Sequence, residues 1–202
     1  MPTWTPVPTY TPVPAAPPSK TSVLRIGNTG EIRFTDPAKI QSGSDLITTQ
    51  LVFARLLQED PTLMDPRPDI AESWTVSPDG KTYVFKIRED VKFHNGKPLT
   101  AQDVEYTWNR CRTQVGEKGW CKGELKDVVS AKATGDYEFT VVIANLSPVF
   151  IFSMTHWSLG IVDKDSIDTI DNNPVGTGLY KFVEQVPGDR MVLEKFDGYF
   201  DK

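Results

Sequence analysis

Between residues 71 and 104 the order of apolar and polar side chains predicts a hairpin followed by a helix. Tyr83, Phe85 and Ile87 recur at every second position, the period of a strand that buries one face. Trp74 and Val76 sit in the run just before it. The intervening Ser77-Pro78-Asp79-Gly80 has the residues a type I turn favours, so the two runs should pair antiparallel. Asn95-Gly96 marks another tight turn. Thr100-Ala101-Gln102-Asp103 then has the form of a capping box with Asp in place of Glu, and Val104, Trp108 and Cys111 share a face of the helix it opens.

The same reading extends in both directions. Residues 128–132 and 137–143 should form a second hairpin across Thr134-Gly135-Asp136, followed by a short helix over 148–154 and an extended return over 159–162. Gly176-Thr177-Gly178 opens a strand over 180–184, Pro187-Gly188-Asp189 turns it, and residues 190–195 return. Upstream, residues 23–26 are apolar enough for a short strand, and Gly27-Asn28-Thr29-Gly30 for a turn. Ser44 or Asp45 is placed to cap a helix whose apolar stripe takes in Leu46, Leu51, Val52, Leu56 and Leu57, with packing as its role.

Composition changes the picture mainly at the N-terminus. Of 16 prolines in the 202 residues, seven (2, 6, 8, 12, 14, 17 and 18) fall in the first 18, and Thr-Pro-Val-Pro occurs at 5–8 and again at 11–14. Proline fixes φ and removes the N–H donor, so residues 1–20 read as an extended, solvated tether. No basic n-region with an apolar h-region precedes it. With 22 Lys plus Arg against 27 Asp plus Glu the net charge is −5, which supplies no basic footprint for nucleic acid. Residues 139–162 carry no charged side chain, but Asn145, Ser147, Pro148, Ser153, Thr155, His156, Ser158 and Gly160 interrupt them. The alternation of Phe139, Val141 and Ile143 reads as a strand and not a membrane helix.

Candidate chemistry is sparse. His94 and His156 are the only histidines, and no nucleophile stands at an elbow motif, so an enzyme is not expected. Asp163, Asp165, Asp168 and Asp171 suggest a calcium loop until Ile167 falls where a ligand should be and Asp168 where glycine is required; a solvated helix start explains the run better. Gly176-Thr177-Gly178 lacks the Gly-Lys-Ser/Thr of a phosphate loop and precedes a strand. Cys111 and Cys121 have no zinc spacing and are either two unrelated buried thiols or a local disulfide. No cofactor is expected.

Three stretches carry a resemblance: Ala71-Glu72-Ser73-Trp74 with the turn and strand after it, Val91-Lys92-Phe93-His94-Asn95-Gly96-Lys97-Pro98-Leu99-Thr100-Ala101-Gln102-Asp103-Val104, and Asn172-Asn173-Pro174-Val175-Gly176-Thr177-Gly178 with its hairpin. Over residues 23–202 the chain resembles the family 5 extracellular solute-binding proteins, the peptide- and nickel-type receptors of ABC importers. Leu179 stands where that family usually has proline, and Phe200 where tryptophan often follows Tyr199.

The resemblance implies a mixed α/β and α+β fold, the N-terminal lobe of a two-lobed periplasmic-binding-protein fold of type II, cluster C-like, with a second lobe beyond this chain. It divides the chain into a tether (1–20), a first strand of lobe I (21–35), an inserted α+β subdomain (36–173) and return strands (174–202). It implies capture of an oligopeptide or similar solute by hinge closure, without chemistry. Delivery would be to ABC permease subunits, at the periplasmic or extracellular face of the cytoplasmic membrane. A lipid-anchored cysteine commonly precedes such a tether in this family, and this sequence has none. The extracytoplasmic setting favours the Cys111–Cys121 disulfide.

The resemblance also nominates ligand-binding residues. Glu31, Ile32 and Arg33 match a segment that lines the cleft and could offer backbone groups to a peptide in strand-addition fashion while side chains set charge preference. His156 alone, beside Trp157 in an apolar stretch, would more often be a satisfied structural residue. In the peptide-binding branch, however, a histidine at the matching place can lie at the cleft. The rival reading is a stalked adhesion or scaffolding module, suggested by the tether and the many hairpins.

Overall fold

The structure is a computed structural model and describes residues 23–62, 65–114 and 120–201; the Pro-rich tether lies outside them. Its centre is a four-stranded antiparallel sheet in the order β3-β4-β6-β5, from β3 (Ala71–Val76), β4 (Thr82–Ile87), β5 (Val128–Ala133) and β6 (Glu138–Ile143). Trp74 pairs with Phe85 and Val76 with Tyr83, as the alternation requires, and the Gly80 N–H donates to the Ser77 carbonyl at 2.8 Å to close the turn. Tyr83, Phe85, Ile87, Phe139, Val141 and Ile143 are buried on one face. Helix α2 (Ala101–Thr113) covers that face, with Trp108 set edge-on to Phe139 at 5.1 Å. The Asp103 carboxylate accepts from the Thr100 N–H at 3.1 Å, which satisfies a donor the first helical turn leaves free.

Two smaller antiparallel pairs flank this core: β1 (Leu57–Glu59) with β2 (Pro66–Pro68), and β7 (Tyr180–Val186) with β8 (Arg190–Lys195). The short helix α3 (Trp120–Glu124) is tied to α2 by a disulfide between Cys111 and Cys121, whose Cα atoms are 5.8 Å apart. Helix α4 (Phe150–Ser153) brings Phe150 to 4.9 Å from Tyr83. A buried Arg110–Asp36 pair, bidentate between the guanidinium and the carboxylate, fastens α2 to the turn over Pro37–Lys39.

Three expectations need correcting. Helix α1 spans Gly43–Val52 and is capped by Ser42, whose hydroxyl accepts from the Asp45 N–H at 3.2 Å. Its buried face is not the leucine stripe but Ser44, Asp45, Thr48, Thr49 and Val52, because Leu56 and Leu57 lie past its end and are buried on their own account. Residues 23–26 form no strand, and Val23, Leu24 and Ile26 are exposed; a strand needs a neighbour's backbone groups, and no described segment pairs with this one. The return at 159–162 is a 3-10 turn over Trp157–Leu159 followed by chain outside any strand, where the Ile161 N–H donates to the Ala54 carbonyl and the Val162 N–H to the Thr107 hydroxyl.

Candidate functional site

The Gly-Thr-Gly motif is a packing joint. An added Cβ on Gly176 or Gly178 would collide with the backbone of Val52 at the end of α1, and the Gly178 N–H donates to the Val52 carbonyl at 2.8 Å. Only glycine permits that approach. His94, which the motif reading did not single out, clamps the joint from the other side. Its Nδ1 accepts from the Gly176 N–H at 3.3 Å, its Nε2 lies 2.9 Å from the Gly178 carbonyl, and its own N–H donates to the Gly176 carbonyl. This pairing needs a neutral ring with the proton on Nε2. Burial lowers the His94 pKa; the Gly178 carbonyl opposes that only partly.

Glu31, Ile32 and Arg33 lie on a surface segment held down from beneath. The Asp45 carboxylate accepts from the N–H groups of Arg33 (2.8 Å) and Phe34 (3.2 Å), and the Gln185 side chain donates to the Ile32 carbonyl at 2.8 Å. Burial would raise the Asp45 pKa, but these backbone donors and Ser42 bring it below its ordinary value. The Arg33 N–H and Ile32 carbonyl are thus already engaged, which narrows the strand-addition expectation. The exposed side chains of Glu31 and Arg33 form a solvent-facing ion pair at 3.7 Å.

His156 and Trp157 stack with ring centres 4.6 Å apart. Trp120, directly before Cys121, stands 6.5 Å from the His156 ring and 6.1 Å from Trp157. The Glu124 carboxylate is 3.9 Å from His156 Nε2, and His156 Nδ1 pairs with the Ser158 hydroxyl at 2.7 Å. Burial lowers the His156 pKa and Arg55 adds to that, with Glu124 pulling the other way. Among the described residues no hydrogen bond, ion pair or ring contact joins this cluster to Glu31–Arg33. Sequence reasoning passed over Trp120 and Glu124; the available signal was a tryptophan adjoining a candidate disulfide.

The aspartate run has a different use. Lys97 reaches Asp103 (3.1 Å), Asp163 (2.8 Å) and Asp165 (2.9 Å), while Asn95 and Ser166 also donate to Asp163. Burial would lower the Lys97 pKa, yet the three carboxylates outweigh it and raise the value, and Asp165 is brought to about 2 by Lys164 and Lys97. An internal ammonium occupies these carboxylates, so the knot ties the Asn95 turn to the start of α2 and to residues 163–165.

The family model described as "Bacterial extracellular solute-binding proteins, family 5 Middle" matches residues 65–202. The chain belongs to this family. It is 27% identical over 204 aligned residues to the periplasmic oligopeptide-binding protein OppA of Salmonella typhimurium, covering 90% of this chain and 37% of that one. It is 32% identical to the dipeptide-binding protein DppE of Bacillus subtilis, covering 68% of this chain and 29% of the relative. Among solved structures, Haemophilus influenzae OppA in complex with the peptide RPPGFSPFR superposes with a TM-score of 0.77 at 25% identity, over 84% of this chain and 37% of that one. The fold is that of a lobe of these two-lobed receptors, and the chain spans about a third of their length. Among the described residues no helix is long and apolar enough to cross a membrane.

Proposed function

We propose that this family 5 chain belongs to an extracytoplasmic receptor that captures oligopeptides, or a solute of similar chemistry, and passes them to the permease subunits of an ABC importer. The carrying observation is the match of 90% of the chain to an oligopeptide-binding protein, on a fold shared with a receptor solved around a peptide. Capture occurs by closure of two lobes over the ligand, with this chain supplying one wall. The Pro-rich residues 1–20 act as the spacer to the membrane. Glu31 and Arg33 contribute charged side chains, Ile32 an apolar contact, and His156 and Trp157 an aromatic contact. Binding without chemistry is supported by the relatives, which are named as binding proteins.

The test is calorimetric titration of the natural full-length protein with a mixed oligopeptide pool, then with defined peptides recovered from it, followed by mass spectrometry of the bound peptide. Peptides should bind and return intact, and Glu31→Ala and His156→Ala should each weaken binding on the order of tenfold, the scale of a lost charge-assisted hydrogen bond for Glu31 and of a lost aromatic contact for His156. Absence of binding would overturn the peptide reading, and cleaved peptide would point to a hydrolase. Unchanged affinity in both variants would remove the site while leaving the receptor in place.

A further inference from the structure

The aromatic cluster around His156 has a composition that plain packing does not require. Trp120 is 58% exposed although it adjoins the fully buried Cys121, so the disulfide pins its backbone while the indole stays at the surface. Three π-faces within 6.5 Å of one another lie beside one carboxylate. Among the described residues no lysine or arginine pairs with Glu124; its neighbour is the His156 ring, with Nε2 at 3.9 Å, which is charged only when protonated. The nearby cation, Arg55, donates its Nη1 to the Thr155 carbonyl at 2.8 Å, and its charge is drawn on by Asp69 and Glu59 as well as felt at His156. Indole faces attract cations through the ring quadrupole, and a carboxylate at the rim adds direct Coulomb attraction.

We infer that Trp120, His156 and Trp157, with Glu124 at their side, form a pocket that selects a cationic group of the bound solute, an ammonium or a guanidinium. The assignment rests on the reading of this chain as part of a solute receptor and extends it to substrate class. His156 is a positioning and stacking residue here: its ring is fixed by Ser158, and its Nε2 edge faces Glu124. The disulfide holds Trp120 in place, so preorganisation of the pocket depends on Cys111 and Cys121 remaining bonded.

The test uses the natural full-length protein and tetra-alanine peptides carrying lysine or norleucine at one position at a time, each with a free and an acetylated N-terminus. These arms separate a side-chain ammonium from the peptide's own amino group. At one position the cationic peptide should bind about tenfold tighter than its neutral counterpart. Trp120→Ala and Glu124→Gln should each bring that ratio close to one; taken within each variant, the ratio cancels any general loss of folding or affinity. A ratio near one in the wild type, or one that both variants retain, overturns the proposal. If no tetrapeptide binds, the peptide reading is what fails, and the pocket is read directly. Methylguanidinium is then titrated against neutral methylurea while following the Trp120 indole N–H resonance, assigned by its loss in Trp120→Phe. A saturable shift with methylguanidinium alone, abolished by Glu124→Gln, supports the pocket, and no shift overturns it.

Discussion

At the scale of single residues, His94 shows how a side chain that looks like chemistry serves as a clamp. Both ring nitrogens and the backbone N–H are spent on Gly176 and Gly178, and burial makes protonation costly. The folded pKa lies below the ordinary value of 6.5. As pH falls, the unfolded chain therefore takes up the proton first, so the ring's contribution is complete above about 6.5 and is lost as pH falls from there toward the folded value. His156, lowered for a similar reason, adds to the same window. Urea unfolding midpoints measured between pH about 7 and pH about 5 should fall less steeply in His94→Gln than in wild type, and least in His94→Gln combined with His156→Gln. Gln keeps a donor near the Nε2 position and does not titrate, so it separates charge from lost contacts. Equal slopes in wild type and both variants would show that neither histidine is held neutral by the fold.

At the scale of elements, the disulfide does for α3 what a longer hydrophobic face does for α2. Helix α3 has five residues, too few to be stable alone, and of its side chains only Cys121 is buried. Cross-linking residues ten apart should stabilise the chain by up to about 3 kcal/mol through the loop entropy of the unfolded state. Intact mass with alkylation before and after reduction should show no free thiol in exported protein, and reduction should lower the urea midpoint. Two alkylated thiols in native exported material would refute the bond outside the structure. Elements whose period and turns are local, the β3–β4 and β5–β6 hairpins and α2, were legible in the sequence. Helix α1 was legible as a helix but not in its buried face, which is made of Ser44, Asp45, Thr48 and Thr49, polar groups that take partners distant in sequence, such as the Arg33 N–H for Asp45 and Met191 for Thr48, beside local ones. The candidate site was legible in part for the same reason. His156 and Trp157 adjoin in the chain, whereas Trp120 and Glu124 reach them only through the fold.

At the scale of the whole molecule, the N-terminal segment and the Gly-Thr-Gly joint are held very differently. Gly176, Thr177 and Gly178 are buried against the end of α1, so the open edge of the fold lies upstream, at residues 23–30. Val23, Leu24 and Ile26 are apolar and exposed, and their backbone groups pair with no described strand, a combination that is costly in a finished protein. The relatives are nearly three times as long as this chain, which matches only part of them. Hydrogen exchange compared between this 202-residue chain and the natural full-length protein decides the matter. In the shorter chain residues 23–30 should exchange almost freely while β4 exchanges slowest, since β4 lies inside the sheet between β3 and β6. In the full-length protein the amides of 23–26 should gain protection as that segment becomes the first strand of its lobe. Free exchange there in both proteins would mean that the segment belongs with the tether, and that the lobe begins at Thr35, where the chain first becomes buried.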